Sequence, residues 1–117
     1  MSLTFEQLAK TNLARCLKWH PDGIKSWSAS DWATAVAGEL GEACSIIKEM
    51  NRLRDGLVGN KVGHQDWASL KVALGKELAD ILIYLDLLAQ REDINLGEVV
   101  IKKFNEVSIR NGFADFL

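Results

Sequence analysis

Two short acidic motifs are the part of this sequence best suited to chemistry. Residues 39–42 read ELGE and residues 77–80 read ELAD, so both motifs contain an acid, a leucine, a small residue and a second acid. On an α-helix, residues three positions apart project from the same face, one above the other. The spacing therefore predicts two pairs of neighbouring carboxylates, Glu39 with Glu42 and Glu77 with Asp80.

One acid of each motif falls within the apolar face of its predicted helix. At about 100° per residue, Trp32 lies about 20° from Glu39, and Leu70 lies about 20° from Glu77. The second acid of each motif falls at the edge of the same face. A lone carboxylate on a packing face costs several kcal/mol unless it is paired or binds a metal, and neither inner face carries a lysine or arginine.

These acids favour a metal site, provided that the two helices pack antiparallel. Four converging carboxylates oppose each other's ionisation, so such a cluster needs a cation. An all-oxygen site favours Mg²⁺ or Mn²⁺ over zinc or copper. The predicted metal ligands are the four acids, Glu39, Glu42, Glu77 and Asp80. Small neighbouring residues would leave room for a ligand: Gly38, Gly41, Gly75 and Ala79.

A carboxylate-bound Mg²⁺ usually keeps coordination positions for water and substrate phosphates, which indicates phosphoanhydride or phosphodiester chemistry. The sequence has no glycine-rich phosphate loop, no nucleophile elbow, and no serine or cysteine beside a histidine. Activated water is therefore the expected nucleophile.

Helical periodicity appears four times along the chain, whereas the alternation typical of strands is scarce. The predicted helices run from a Thr4 cap to about residue 18, from a Ser30 cap to residues 55–56, from an Asp66 cap to residues 91–93, and from an Asn95 cap to about Arg110, with Gly112 ending the last. This pattern predicts an all-α fold, most simply an antiparallel bundle of four main helices in a single domain over residues 1–117.

Composition excludes several classes of protein. The 117 residues are 48% hydrophobic and 26% charged, as in an ordinary globular domain. Fourteen basic against 16 acidic residues give a formal charge of −2, which argues against nucleic-acid binding. No apolar stretch is long enough to span a membrane, and no signal pattern is visible, so we expect a cytoplasmic protein. Cys16 and Cys44 are expected to be reduced core residues.

Beyond these arguments, residues 28–112 resemble the MazG-like nucleoside triphosphate pyrophosphohydrolases, an all-α superfamily. The resemblance lies in the helix order, the two acidic motifs and the later stretch KFNEVSIR at residues 103–110. It implies Mg²⁺-dependent cleavage of a nucleoside triphosphate between the α- and β-phosphates. The family's metal ligands match Glu39, Glu42, Glu77 and Asp80, and Glu39 or Glu42 would also orient the attacking water. Homodimers or homotetramers are implied as well.

Further residues are candidates for substrate contacts. Lys103 and Arg110 are similar to basic residues that family members direct at phosphates, although their spacing matches only loosely. Aromatic faces can stack on a base, and three such residues lie between the first two helices: Trp19, His20 and Trp27. Tyr84 shares a face with Glu77 and could bind a sugar or phosphate. Trp32 and Trp67 are instead expected to be core anchors.

Two other functions compete with hydrolysis. A di-iron or di-manganese carboxylate bundle needs a Glu-x-x-His motif, and neither His20 nor His64 follows a glutamate at that spacing. His64 receives no role. A non-enzymatic helical interaction domain with a solvated acidic face remains the alternative.

Overall fold

A computed structural model describes residues 2–117, which form helices and contain no strand. The elements in chain order are helix α1 (Phe5–Trp19), a short 3-10 helix (Gly23–Ser26), and helices α2 (Ala29–Arg54), α3 (Trp67–Arg91) and α4 (Leu96–Asn111). The predicted all-α class is therefore confirmed. None of these helices combines the length and the apolar character that a membrane span requires.

Helices α1 and α3 begin at the predicted caps. The Thr4 hydroxyl accepts a hydrogen bond from Gln7 N at 3.1 Å, and the Gln7 side chain accepts one from Thr4 N at 2.9 Å. Asp66 accepts a hydrogen bond from Ser69 N at 2.8 Å, at the start of α3. In both places a side chain satisfies a backbone N–H that has no partner within its helix.

Helix α4 has the predicted ends, whereas α2 begins two residues earlier than a cap at Ser30 would place it. Asn95 accepts a hydrogen bond from Glu98 N, and Gly112 ends α4 with φ 69°, the left-handed conformation that glycine adopts readily. Ala29 is already helical, so Ser30 lies within the first turn of α2. Ser30 is not the cap, because a cap residue has non-helical backbone angles.

The 3-10 helix after α1 is an element that periodicity did not predict. Its first residue, Gly23, is buried and has φ 60°, which favours glycine. A Cβ atom there would lie 2.7 Å from Leu17 Cδ2. Gly23 therefore allows the chain to turn tightly against α1.

The chain divides into two compact units, and α3 contributes to both. The first, here called the terminal unit, contains residues 2–29 and 86–117; the second, the central unit, contains residues 30–85. In the terminal unit the Asp86 carboxylate is 2% exposed. Asn12 Nδ2 and Gln90 Nε2 both donate to its Oδ2, at 3.0 and 2.8 Å. These two amides thus provide hydrogen bonds to a buried carboxylate oxygen of the terminal unit.

Within the central unit, α2 and α3 run antiparallel. The Trp32 ring lies 6.2 Å from the Tyr84 ring, and the Glu39 side chain hydrogen-bonds to that of Glu77. A residue later in α2 thus contacts a residue earlier in α3, as expected of antiparallel helices. Trp32 is 1% exposed and Leu70 is fully buried, so both side chains belong to the core of the central unit. Each lies seven residues before the first acid of the acidic motif on its helix.

Two residues expected in the core are exposed. Trp67, the first residue of α3, is 50% exposed. Side chains of a helix lean toward its N-terminus, and no helical turn precedes Trp67 to pack beneath it. Cys44 is also exposed, because it lies about 140° around α2 from Glu39 and thus off the apolar face. Cys16 is buried, as predicted.

Candidate metal centre

Three carboxylates of the central unit come together at one point. Glu39 and Glu42 on α2 and Glu77 on α3 each offer an oxygen, and these oxygens lie within 4.8 Å of one another. Asp80, the fourth predicted ligand, does not belong to this group, which we call the acidic trio. Its charge nevertheless acts on Glu39.

The burial of the four acids follows the helical angles. Glu39 and Glu77 are half-buried, whereas Glu42 and Asp80 are exposed. Glu39 Oε2 and Glu77 Oε2 are both buried and have no hydrogen-bond partner among the described residues. Buried polar atoms in native proteins are normally paired, so these two oxygens are available to a proton or a cation.

Burial and neighbouring negative charges disfavour the ionised form of Glu39. The pKa of Glu39 is raised to about 7, first by burial, then by its hydrogen bond to Glu77, and then by the charges of Glu42, Asp80 and Glu77. Within residues 2–117, none of the salt bridges involves these acids. A bound cation would remove the need for a proton here, since it supplies the missing positive charge.

The donor set and its surroundings fit a hard divalent cation. Carboxylate oxygens alone suit Mg²⁺ or Mn²⁺. The neighbouring glycines lie against open space: a Cβ atom added at Gly38, Gly41 or Gly75 would have no atom within 4 Å. No neighbour in the described chain therefore requires these glycines. Gly41 and Gly75 lie about 160° around their helices from Glu39 and Glu77, so the expectation that they leave room for a ligand at these acids was wrong.

A cavity of about 600 Å³ adjoins the trio in the central unit. Glu42 and Glu77 line it, and it also contains basic side chains, from Lys61 and His64 in the loop after α2 and from Lys76 on α3. The cavity thus combines carboxylates from the trio with cationic groups, an arrangement suited to a ligand of mixed charge.

A buried glutamate that the motif analysis missed organises one end of this cavity. Glu49 is 4% exposed, and its Oε1 lies 2.8 Å from His64 Nδ1. Its Oε2 accepts a hydrogen bond from Lys61 N at 3.2 Å. Burial alone would raise the pKa of Glu49, but these hydrogen bonds and the charges of His64 and Lys61 together lower it. Glu49 lies four residues before Leu53 and therefore on the same side of α2 as this apolar residue, so its helical position indicated burial.

Asn60 fixes the loop around this ion pair. Its Nδ2 donates to Glu49 O at 2.9 Å and to His64 O at 3.0 Å. One amide thus connects the end of α2 to the loop that carries His64. His64, which received no role from the sequence, is held by both its side chain and its backbone.

The predicted aromatic contacts belong to the terminal unit. Trp19 is 67% exposed, and the Arg15 guanidinium lies 5.1 Å from the centre of its ring. His20 and Trp27 pack edge to face, with ring centroids 4.9 Å apart. This arrangement leaves the Trp19 ring as the most accessible aromatic surface of the three.

The predicted phosphate contacts also belong to the terminal unit, whereas Tyr84 belongs to the central unit. Lys103 on α4 lies 3.7 Å from Glu106, and Arg110 is exposed in the last turn of that helix. Tyr84 is half-buried against Trp32. Of the predicted site residues, the structure brings together Glu39, Glu42 and Glu77, with Asp80 near enough to influence Glu39.

Comparison of the chain with protein-family models, curated proteins and solved structures gives no match.

Proposed function

We propose that this protein is a Mg²⁺-dependent nucleoside triphosphate pyrophosphohydrolase, which cleaves between the α- and β-phosphates to give the monophosphate and pyrophosphate. One observation carries the proposal: Glu39 and Glu77, from two helices, each bury a carboxylate oxygen without a partner beside Glu42. Canonical or modified ribo- or deoxyribonucleotides are the substrate class, and hydrolysis of modified nucleotides would remove them from the cellular pool.

Glu39, Glu42 and Glu77 would hold the metal, with Asp80 as a fourth acid near the group. When bound, Mg²⁺ or Mn²⁺ supplies positive charge to the phosphate oxygens and lowers the pKa of water. The half-buried Glu39 and Glu77 fix the inner side of the site, and the exposed Glu42 forms its solvent side.

Glu39 or Glu42 orients the attacking water and accepts its proton. The water oxygen forms a bond to the α-phosphorus, and the bond from that phosphorus to the bridging oxygen breaks. Pyrophosphate leaves with the electron pair of the broken bond. The carboxylates contribute by holding water and phosphate in the reactive arrangement, since phosphoryl transfer depends on positioning and charge stabilisation.

The proposal also assigns substrate contacts to residues outside the trio. Trp19, His20 and Trp27 offer aromatic faces for a base, and the exposed ring of Trp19 is the most accessible of them. Tyr84 would contact the sugar or a phosphate. Lys103 and Arg110 would contact phosphates, because both are exposed cations on α4.

The proposal includes assembly of an antiparallel four-helix bundle into a homodimer or homotetramer in the cytoplasm. Leu40 and Leu78 occupy the same position in the two acidic motifs and are 53% and 54% exposed. Two matched apolar side chains beside the site are what an interface between copies would cover. The charge of −2 argues against nucleic acid as a partner.

A non-enzymatic interaction domain is the second candidate. Apolar side chains in the loop after α2 favour it, because Val58 and Val62 are 93% and 94% exposed. Such side chains are typical of a surface that binds another protein.

Product analysis separates the two candidates. Purified protein is incubated with Mg²⁺ and a panel of canonical and modified nucleoside triphosphates, and pyrophosphate and orthophosphate are measured separately. We expect pyrophosphate plus monophosphate, lost in Glu39→Gln and kept in Glu92→Gln, an exposed control acid outside the trio. Orthophosphate alone would indicate a phosphatase, and no turnover would favour the interaction domain.

A further inference from the structure

The cavity beside the acidic trio has the size and the charges of a ligand site. Its volume of about 600 Å³ lies within the range of about 300–1,000 Å³ typical of small-molecule sites. Glu42 and Glu77 lie on its lining together with Lys61, Lys76 and His64. Carboxylates and cations thus share one cavity without forming salt bridges to each other, apart from the His64–Glu49 pair.

Glu49 fixes the orientation of His64 in this cavity. Glu49 is 4% exposed, and both of its carboxylate oxygens are engaged, one by His64 Nδ1 and one by Lys61 N. Because Nδ1 lies against Glu49, Nε2 is the ring nitrogen of His64 that can contact a ligand.

The mixed charge of the cavity selects the kind of ligand. A free phosphate would be repelled by Glu42 and Glu77, whereas a phosphate that carries a divalent cation would be attracted by them. Such an anion also satisfies the charges of Lys61 and Lys76. The carboxylates would hold its metal, and the lysines and His64 would contact its oxygens. Lysine binds phosphate as a point charge, so it needs no fixed geometry.

We infer that this cavity binds the β- and γ-phosphates of the substrate, and the pyrophosphate product, as their Mg²⁺ complex. Lys76 and His64 contact the phosphate oxygens, and Glu49 is a positioning residue for His64. The inference rests on the proposed function. It places the leaving phosphates beside the loop after α2.

Direct binding of inorganic pyrophosphate tests the inference without turnover. Calorimetric titration at saturating Mg²⁺ should give binding to the wild type, weakened about tenfold or more in Lys76→Met and in His64→Gln, since each loses a hydrogen bond to a phosphate oxygen. Lys71→Met is the matched control, because it removes an exposed lysine of the same helix outside the cavity lining. It should bind within about twofold of the wild type.

The test of Glu49 must distinguish loss of the His64 orientation from general loss of structure. Glu49→Gln should weaken pyrophosphate binding as much as His64→Gln does, and the double variant should be no weaker, because the two residues act as one unit. Titration with Mg²⁺ alone should be unchanged in all three variants. Thermal melts identify any variant that has lost its fold, and Lys76→Met, at an exposed position, then provides the test.

The outcomes distinguish this inference from the proposed function. Failure of the wild type to bind Mg²⁺-pyrophosphate, or wild-type affinity in folded Lys76→Met and His64→Gln, overturns the inference. Nucleotide hydrolysis together with that result would leave the proposed function standing. Binding that depends on Lys76 and His64, without hydrolysis of any nucleotide, would instead support the pocket and remove the function.

Discussion

Glu39 on α2 and Glu77 on α3 are close enough to share a hydrogen bond, yet no donor among the described residues reaches the buried Oε2 of either side chain. One proton can join the two carboxylates, but it leaves them beside the charge of Glu42. A divalent cation can contact both residues and Glu42 at once. The pair is therefore the structural basis for the proposed metal site.

Metal should stabilise the protein through this pair. Mg²⁺ or Mn²⁺ at about 100 times its Kd should add about 2.7 kcal/mol to the free energy of unfolding, seen as a rise in Tm. In Glu39→Gln/Glu77→Gln this rise should disappear, while the metal-free variant should be at least as stable as the metal-free wild type, since repulsion is relieved. Glu92→Gln should respond as the wild type does. A full metal response in the double variant would contradict the site.

Metal affinity should depend on pH through Glu39. Its pKa of about 7 in the folded, metal-free protein means that metal must displace a proton at lower pH. We expect Mg²⁺ to bind about tenfold more weakly at pH 6 than at pH 8, as measured by calorimetry. Equal affinities at the two pH values would show that Glu39 is not a ligand.

Glu39 also determines how the free energy of unfolding of the metal-free protein changes with pH. The folded pKa of Glu39 is raised above the ordinary glutamate value of 4.5, so between about pH 4.5 and 7 the folded protein holds a proton that the unfolded chain releases. The free energy of unfolding should therefore fall as pH rises through this range. Glu49, whose pKa is lowered, stabilises throughout it and loses that contribution only at lower pH. Glu39→Gln should flatten the slope measured in denaturant titrations.

Gly41→Ala should stabilise the protein and leave hydrolysis unchanged. A Cβ atom at this position meets no other atom within 4 Å, so the substitution should raise the free energy of unfolding by about 0.5–1 kcal/mol through helix propensity. Gly41 lies about 160° around α2 from Glu39, so the added methyl group projects away from the trio. Denaturant titration and the pyrophosphate assay measure the two effects. Lost hydrolysis in folded Gly41→Ala would show that this face of α2 contributes to the site.

Sedimentation should reveal a symmetric homo-oligomer at micromolar concentration. Leu40 and Leu78, exposed at matched positions, are the side chains that we expect an interface to cover. Leu78→Arg should shift the protein toward the monomer, because a charged group is costly to bury without a partner. A stable wild-type monomer would remove the proposed assembly.

Local chemistry made much of the fold predictable. The caps Thr4, Asp66 and Asn95 act within one turn of the backbone, so sequence spacing alone located them. The same holds for the half-buried Glu39 and Glu77, whose positions depend on helical angle. In contrast, the partner of Glu49 was not predictable, because His64 lies fifteen residues away across a loop whose path no periodicity specifies. The 3-10 turn at Gly23 likewise depends on contact with α1.

Burial at helix ends was the least predictable feature. Trp67 lies at an angle that would be apolar in the middle of a helix, but it is exposed because α3 begins there. Periodicity describes the face of a helix and not the extent to which neighbours cover it. For the same reason, the angles predicted a group of four acids, whereas the structure gathers three and leaves Asp80 outside.

Hydrolysis in water enriched in ¹⁸O is the most direct measurement of the central claim that the trio directs water to the α-phosphorus. Mass spectrometry of the products of Mg²⁺-dependent turnover should find the label in the nucleoside monophosphate and none in pyrophosphate. Loss of both turnover and label transfer in Glu39→Gln/Glu77→Gln would assign the reaction to Glu39 and Glu77. Label in pyrophosphate or in orthophosphate would show attack at another phosphorus and contradict the account.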